Sequence, residues 1–194
     1  MARVLTTYYR PKPGGYCIRL FRAMRALLAD GHEVHYLALE RFPVDHPRCH
    51  FHRFPWPAAW ADTLVFWTVF HLLAPWWLLA VAVRERISHA FAFGSSYGLV
   101  LQPARLVARA PLTVFVRGDA LAHHELLGRG PVVRGLDWLA EGLGLAGTHL
   151  CAVSATLAAR ITGRHRWLRP ARQTVRHGPA YLSRLVLPVV SGLA

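Results

Sequence analysis

Acidic side chains are scarce in this 194-residue chain: 10 Asp and Glu stand against 23 Lys and Arg, and none of the ten lies beyond Glu141. Lysine is scarcer still, because Lys12 is the one Lys and every other basic residue is Arg. A nucleic-acid role would rest on the net charge of +13 alone, without any base-reading motif, and is set aside. Cysteine is limited to Cys17, Cys49 and Cys151, an odd number with no C-x-x-C pair. That excludes a disulfide framework and fits reduced thiols in a cytosolic protein. There is no glycine period, no heptad series, no internal repeat and no low-complexity tract, so collagen and coiled coil are excluded. An apolar leader is missing too, since Met1–Tyr9 runs straight into Arg10, Pro11, Lys12 and Pro13; no secretory signal is expected.

What is present is grease and positive charge. Hydrophobic residues make up 54% of the chain and charged ones only 17%, against about 25% charged in a typical soluble domain. A chain this apolar buries enough surface to offset its ordering entropy, which excludes disorder. The charge is uneven. Residues 142–194 carry seven Arg and no acid, whereas residues 1–141 carry 16 basic and 10 acidic side chains. An anionic and partly oily partner is implied.

Along the chain, short apolar runs alternate with helical periodicity. Strands are expected at Ala2–Tyr9, Glu33–Leu39, Cys49–Phe54, Ile87–Phe93, Leu112–Val116 and Thr148–Val153. Helices are expected at Cys17–Asp30, Tyr97–Arg109, about Ala122–Leu127, Val132–Leu145 and Ala155–Ile161, the last capped by Ser154. This is an α/β chain with a Rossmann-like, doubly wound, mostly parallel sheet. The stretch Ala58–Val83 is different. Thr63–Val83 is 21 residues without a formal charge, long enough by itself to cross a bilayer. If the flanking strands share one sheet, a single span is topologically excluded. Pro75 is expected to break or kink the run into a helix pair. The pair either packs on the sheet or lies half-inserted in a membrane surface. Trp60, Trp67, Trp76 and Trp77 would then sit at the interface, with Arg84 and Arg86 at its edge.

Ligands of open parallel sheets bind beyond the carboxyl ends of the strands. The residues that follow the expected strands are Pro13-Gly14-Gly15-Tyr16, Gly94-Ser95-Ser96-Tyr97, Arg117-Gly118-Asp119 and Ser154. Gly14 and Gly15 allow close backbone approach at a helix N-terminus, a seat for phosphate; Arg117 can pair a phosphate, and Asp119 can accept a hydroxyl proton. Other signals are weaker. Asp45, His46, Cys49, His50 and His52 are metal-type ligands, but their spacing matches no zinc pattern and a loop-plus-strand reading fits better. His123-His124-Glu125 lacks the second His of H-E-x-x-H.

The opening T-T-Y-Y-R-P-K-P-G-G-Y (6–16), with A-D-G-H-E-V (29–34), F-G-S-S-Y-G (93–98), F-V-R-G-D (115–119) and C-A-V-S-A-T-L-A (151–158), resembles the N-terminal half of GT-B glycosyltransferases of the family 4 type. The resemblance implies one half of a two-domain GT-B fold, a nucleotide-sugar co-substrate and no metal or other cofactor. It implies Gly14 and Gly15 at the donor phosphates, and Asp119 or His123 as the catalytic group nearest the acceptor hydroxyl. Tyr16, Ser95, Ser96, Tyr97, Arg117 and Ser154 would line the acceptor side. Retaining transfer without a covalent enzyme intermediate is the corresponding expectation. A Rossmann-like domain is thus expected over 1–175 and a divergent tail over 176–194, because the donor-domain motifs of the family do not follow Val175. The expected function is the acceptor-binding half of a glycosyltransferase acting on a lipid-linked or saccharide acceptor. It would be cytoplasmic, peripheral to the inner face of the plasma membrane, and inactive without a donor domain, for which a separate chain is a candidate partner. The competing reading is a non-catalytic α/β domain that binds an anionic membrane or a protein partner.

Overall fold

The computed structural model describes residues 1–166 and the backbone of residues 172–175. The tail expected at 176–194 lies outside the described residues. Strand β1 (Arg3–Thr7) leads through a Pro/Gly turn into helix α1 (Gly15–Ala29), and β2 (Glu33–Ala38) and β3 (Cys49–Arg53) follow. Helix α2 (Leu64–Arg84) crosses to β4 (His89–Phe93), and α3 (Ser95–Val107) leads to β5 (Leu112–Val116). After α4 (Ala120–Leu126) and α5 (Pro131–Leu145) come β6 (His149–Ala152), α6 (Ala155–Arg164) and β7 (Arg172–Val175). Among the described residues, seven strands form one parallel sheet in the order β3-β2-β1-β4-β5-β6-β7. β7 was not among the expected strands; it is four residues long and pairs with β6.

Residue alternation divides the core into two layers. Val4, Val34, Tyr36, Phe91, Phe93 and Phe115 face α1, whose Cys17, Leu20, Phe21, Met24, Leu27 and Leu28 recur at helical spacing. Leu5, Leu37, Ala90, Ala92, Val114 and Leu150 face the opposite layer, which receives side chains from α2, α3, α5 and α6. The sheet is therefore covered on both faces, as continuous apolar strands require. In the second layer α3 and α5 meet closely. A Cβ on Gly98 would stand 2.6 Å from the Gly144 carbonyl oxygen, and one on Gly144 would stand 2.1 Å from that of Ser95. Gln102 reinforces the contact by donating to the carbonyls of Leu143 (2.9 Å) and Ala146 (3.1 Å) at the end of α5.

The apolar stretch departs from expectation. It forms one uninterrupted helix of 21 residues with Pro75 inside it, not a pair of helices divided there. Pro75 removes one backbone hydrogen bond, but buried Phe70, Ala74 and Leu78 hold the turns on either side of it against the sheet. That packing outweighs the local penalty. Thr63 caps the helix, its hydroxyl accepting from the Phe66 N–H at 3.1 Å. α2 is long and apolar enough by composition to cross a membrane, yet β3 and β4 on either side of it belong to one sheet. One side of α2 (Phe66, Phe70, Ala74, Leu78, Val81) is core, while Leu64, Val65, Leu72, Leu73, Trp76 and Trp77 are exposed.

Candidate functional site

Because every strand runs the same way, the loops after β1, β4, β5 and β6 emerge along one edge of the sheet. The expected convergence of Gly14-Gly15, Gly94-Ser95-Ser96, Arg117-Gly118-Asp119 and Ser154 follows from that topology. Gly14 sits at φ 142° as the N-cap of α1, a conformation open to glycine, and both Gly14 and Gly15 are exposed. Arg117 extends from the end of β5 to this turn, with Nη1 3.5 Å from the Gly15 carbonyl oxygen. Its Nε is buried without a partner, and the guanidinium forms no ion pair among the described residues. Burial, and then the charge of Arg19, depress its pKa, the signature of a cation held where it lacks an anion.

Beside this turn lies an aromatic floor. Tyr8 packs against Tyr16 (5.5 Å between centroids) and Tyr97 (5.0 Å), and Tyr16 packs edge-on to Phe93 (5.8 Å). Burial raises the pKa of the Tyr8, Tyr16 and Tyr97 phenols, so all three stay protonated at neutral pH. Gly94 is required here, since it adopts φ +91° and a Cβ would stand 2.5 Å from the Tyr16 hydroxyl. Ser95 and Ser96 open α3 next to it, Ser95 half-buried and Ser96 exposed. The chain leading into the glycine turn is latched by Asp62, which accepts from the Tyr9 hydroxyl (2.5 Å), Arg10 (2.5 Å) and Lys12 (2.9 Å). The Tyr9 hydrogen bond above all, then Lys12 and Arg10, hold the Asp62 carboxyl below its ordinary range.

Asp119 is more committed than its sequence context suggested. Its side chain is 8% exposed; Oδ2 is 2.6 Å from Arg164 and 3.6 Å from Arg160. Oδ1 accepts from the Ala122 N–H at 3.1 Å and so caps α4. Burial pushes the Asp119 pKa up, but Arg164, the Ala122 N–H and Arg160 together outweigh it and hold the carboxyl below its ordinary range. Arg164 reaches on to buried Glu141 at 2.9 Å, and Glu141 also contacts buried His165 at 2.8 Å. Sequence reasoning missed Arg164, Glu141 and His165, because the network joins residues 23 to 45 positions apart. Glu141, an acid on an otherwise apolar last turn of α5, was the available hint. A cleft lined by Asp119, Leu121, Arg134, Trp138, Arg160 and Arg164 opens beside the network.

His123 is exposed on α4. Ser154 caps α6 as expected, accepting from the Leu157 N–H at 3.2 Å. The structure divides the four tryptophans expected at an interface. Trp76 (67% exposed), Trp60 and Trp77 face outward, while Trp67 packs against Tyr9 at 4.9 Å and belongs partly to the core. Arg84 and Arg86 are exposed at the far end of α2, Arg84 paired with Glu85 at 2.7 Å.

Fold and loop arrangement together define a Rossmann-like α/β domain of the kind found in GT-B glycosyltransferases. Among solved structures, the chain is similar to Arabidopsis thaliana UGT89C1 complexed with quercetin (TM-score 0.61, 13% identity, 91% of this chain and 50% of that one). It is similar also to Anabaena Alr3699/HepE in complex with UDP-glucose (TM-score 0.56, 16% identity, 90% of this chain and 43% of that one). UGT89C1 complexed with UDP-L-rhamnose gives a TM-score of 0.58 at 14% identity, over 96% of this chain and 56% of that one. The chain thus spans about half the length of these structures. No protein-family profile matches it, and neither does any curated protein sequence.

Proposed function

We propose that this domain is the acceptor-binding half of a glycosyltransferase that moves a sugar from a nucleotide-sugar donor to a lipid-linked or saccharide acceptor at a membrane surface. Arg117 carries the reading. It is a half-buried guanidinium without a carboxylate partner among the described residues, set against the Gly14-Gly15 turn that opens a 15-residue helix. A cation with a free Nε beside a helix N-terminus is arranged to take a phosphate group. UDP-sugars bound to the similar structures support a donor diphosphate as that anion. The tyrosine floor and the hydroxyls of Ser95 and Ser96 offer the acceptor an apolar face with polar handles. Asp119 is the group set nearest the acceptor hydroxyl in this reading, and His123 is the alternative on α4. The family 4 type and retaining transfer rest on the motif resemblance alone. Because the chain spans about half of each similar structure, transfer is proposed to need a donor-binding domain, on a separate chain or a further segment.

The exposed side of α2 supports placement on the inner face of the plasma membrane. Trp60, Trp76 and Trp77 would lie at headgroup level, and Arg84 and Arg86 near anionic lipid. The same surface favours the second reading, a membrane-binding domain without catalysis. Thermal melting with UDP and UDP-glucose separates the two. Binding to the folded state raises Tm by mass action, and Arg117→Ala is expected to abolish the rise while leaving the unliganded Tm nearly unchanged. A wild-type chain that floats with anionic vesicles but shows no nucleotide-dependent rise would overturn the phosphate seat at Arg117 and, with it, the observation that favours the first reading over the second.

A further inference from the structure

Away from the phosphate turn, toward the amino ends of the strands, β2 and β3 carry a cluster that the transfer chemistry does not use. Their parallel register sets His35 opposite His50, and Leu37 opposite His52. Alternation then puts Glu33, His35, His50 and His52 on one face, the face of Leu37 and α2. His35 is 4% exposed and stacks on His50 (4.6 Å) and His52 (5.4 Å). Its Nδ1 is 3.1 Å from Nε2 of His52, so one nitrogen donates to the other. When His35 is the donor, its Nε2 carries a bare lone pair, and that nitrogen is buried without a partner. One ligand atom from each of Glu33, His35 and His50 lies within 4.8 Å of the other two. Arg3 Nε holds Oε2 of Glu33 at 2.8 Å, which leaves Oε1 for a further partner. Of the charged groups that line the pocket here, Arg3 pairs with Glu33 and Arg84 with Glu85, and Arg41 adds a further positive charge.

We propose that Glu33, His35 and His50 form a divalent cation site suited to Zn²⁺ rather than to Mg²⁺ or Ca²⁺, with His52 as the positioning residue that orients the His35 ring. Two imidazole nitrogens and one carboxylate oxygen are a zinc donor set; Mg²⁺ and Ca²⁺ take oxygen ligands. Coordination supplies the partner that buried Nε2 lacks. The His35–His52 contact is the hydrogen bond that fixes a ligating imidazole in one tautomer, and Arg3 does the same for the carboxylate. The pocket opens between β3 and the end of α2, where Arg84 and Glu85 line it. Bound there, the ion ties edge strand β3 to β2 and plays no part in sugar transfer, so the site stands independently of the transferase reading.

The test uses the full chain, stripped with EDTA and titrated with ZnCl₂ by calorimetry, with thermal melting and Co²⁺ absorption as further readouts. One ion per chain, a raised Tm and visible Co²⁺ bands are expected. His50 is exposed, so His50→Ala should fold normally; it and Glu33→Gln are expected to weaken Zn²⁺ binding about tenfold or more. His46→Ala, which removes a neighbouring histidine outside the cluster, is expected to change nothing. Absence of a binding isotherm for the wild type, undiminished affinity in His50→Ala, or equal weakening in His46→Ala would each overturn the proposal.

Discussion

At the scale of single residues, the buried chain Asp119–Arg164–Glu141–His165 is where charge most strongly constrains the structure. Arg164 is 20% exposed and serves two carboxylates whose side chains are 8% and 4% exposed. Arg164→Ala leaves Asp119 with the more distant Arg160 and the Ala122 N–H, and Glu141 with His165 alone; the expected loss is about 3 kcal/mol of unfolding free energy, measured by chemical denaturation. Asp119→Asn keeps the cap on α4 but removes the charge, at about 1.5–3 kcal/mol near neutral pH. Its pH dependence has a definite sign. The Asp119 carboxyl is held below its ordinary range in the folded chain. Its contribution is therefore complete above the unfolded value of about 3.9 and is lost as pH falls through the folded one. Denaturation of wild type and Asp119→Asn should thus differ at pH 6 and converge below about pH 4. A constant difference across that range would mean that the charge contributes nothing.

At the scale of elements, helix contacts and sequence pattern can be weighed against each other. Strands β4, β5 and β6 were readable because each is a short apolar run that stops at a turn or cap residue: Gly94, Gly118 or Ser154. The converging loops were readable for the same reason, since parallel strands leave their successors on one edge. Helix α2 was misread at Pro75, because a local rule about proline cannot see Phe70, Ala74 and Leu78 packing beneath it. The Asp119 network was hidden because its members come from the turn after β5, from α5 and from the end of α6. The α3–α5 contact was equally hidden, since neither Gly98 nor Gly144 lies in a turn. It yields a clear expectation. Gly144→Ala forces backbone against backbone and should cost about 1–3 kcal/mol, read as a lowered denaturation midpoint, despite alanine's better helix propensity. On α2, Trp76→Ser with Trp77→Ser should cut partitioning onto anionic vesicles about tenfold or more while leaving Tm nearly unchanged, since both side chains are exposed.

At the scale of the whole molecule, charge and grease occupy separate places. α2 turns a broad apolar side outward, while Arg117, without an ion pair among the described residues, and the arginines lining the Asp119 cleft lie toward the carboxyl edge of the sheet. Under the proposed function, an exposed apolar helix and a cationic edge on one sheet would present a bound anion at a fixed height above the surface on which the helix rests. The expectation is that added salt weakens nucleotide binding more than vesicle attachment, because screening acts on charge and not on apolar burial. Parallel titrations at low and high ionic strength measure both.

The strand order also has a consequence in time. β1 lies inside the sheet, yet its partner β4 begins at His89, some 80 residues after β1 ends at Thr7. At about 5–20 residues per second, a ribosome needs about 4–16 s to bridge that interval. Throughout it, the nascent chain displays one unsatisfied flank of β1 and the whole of α2 without a finished sheet beneath it. The most greasy part of the protein therefore emerges before the surface meant to receive it is complete, and a bilayer or a chaperone that meets the chain in those seconds competes directly with β4.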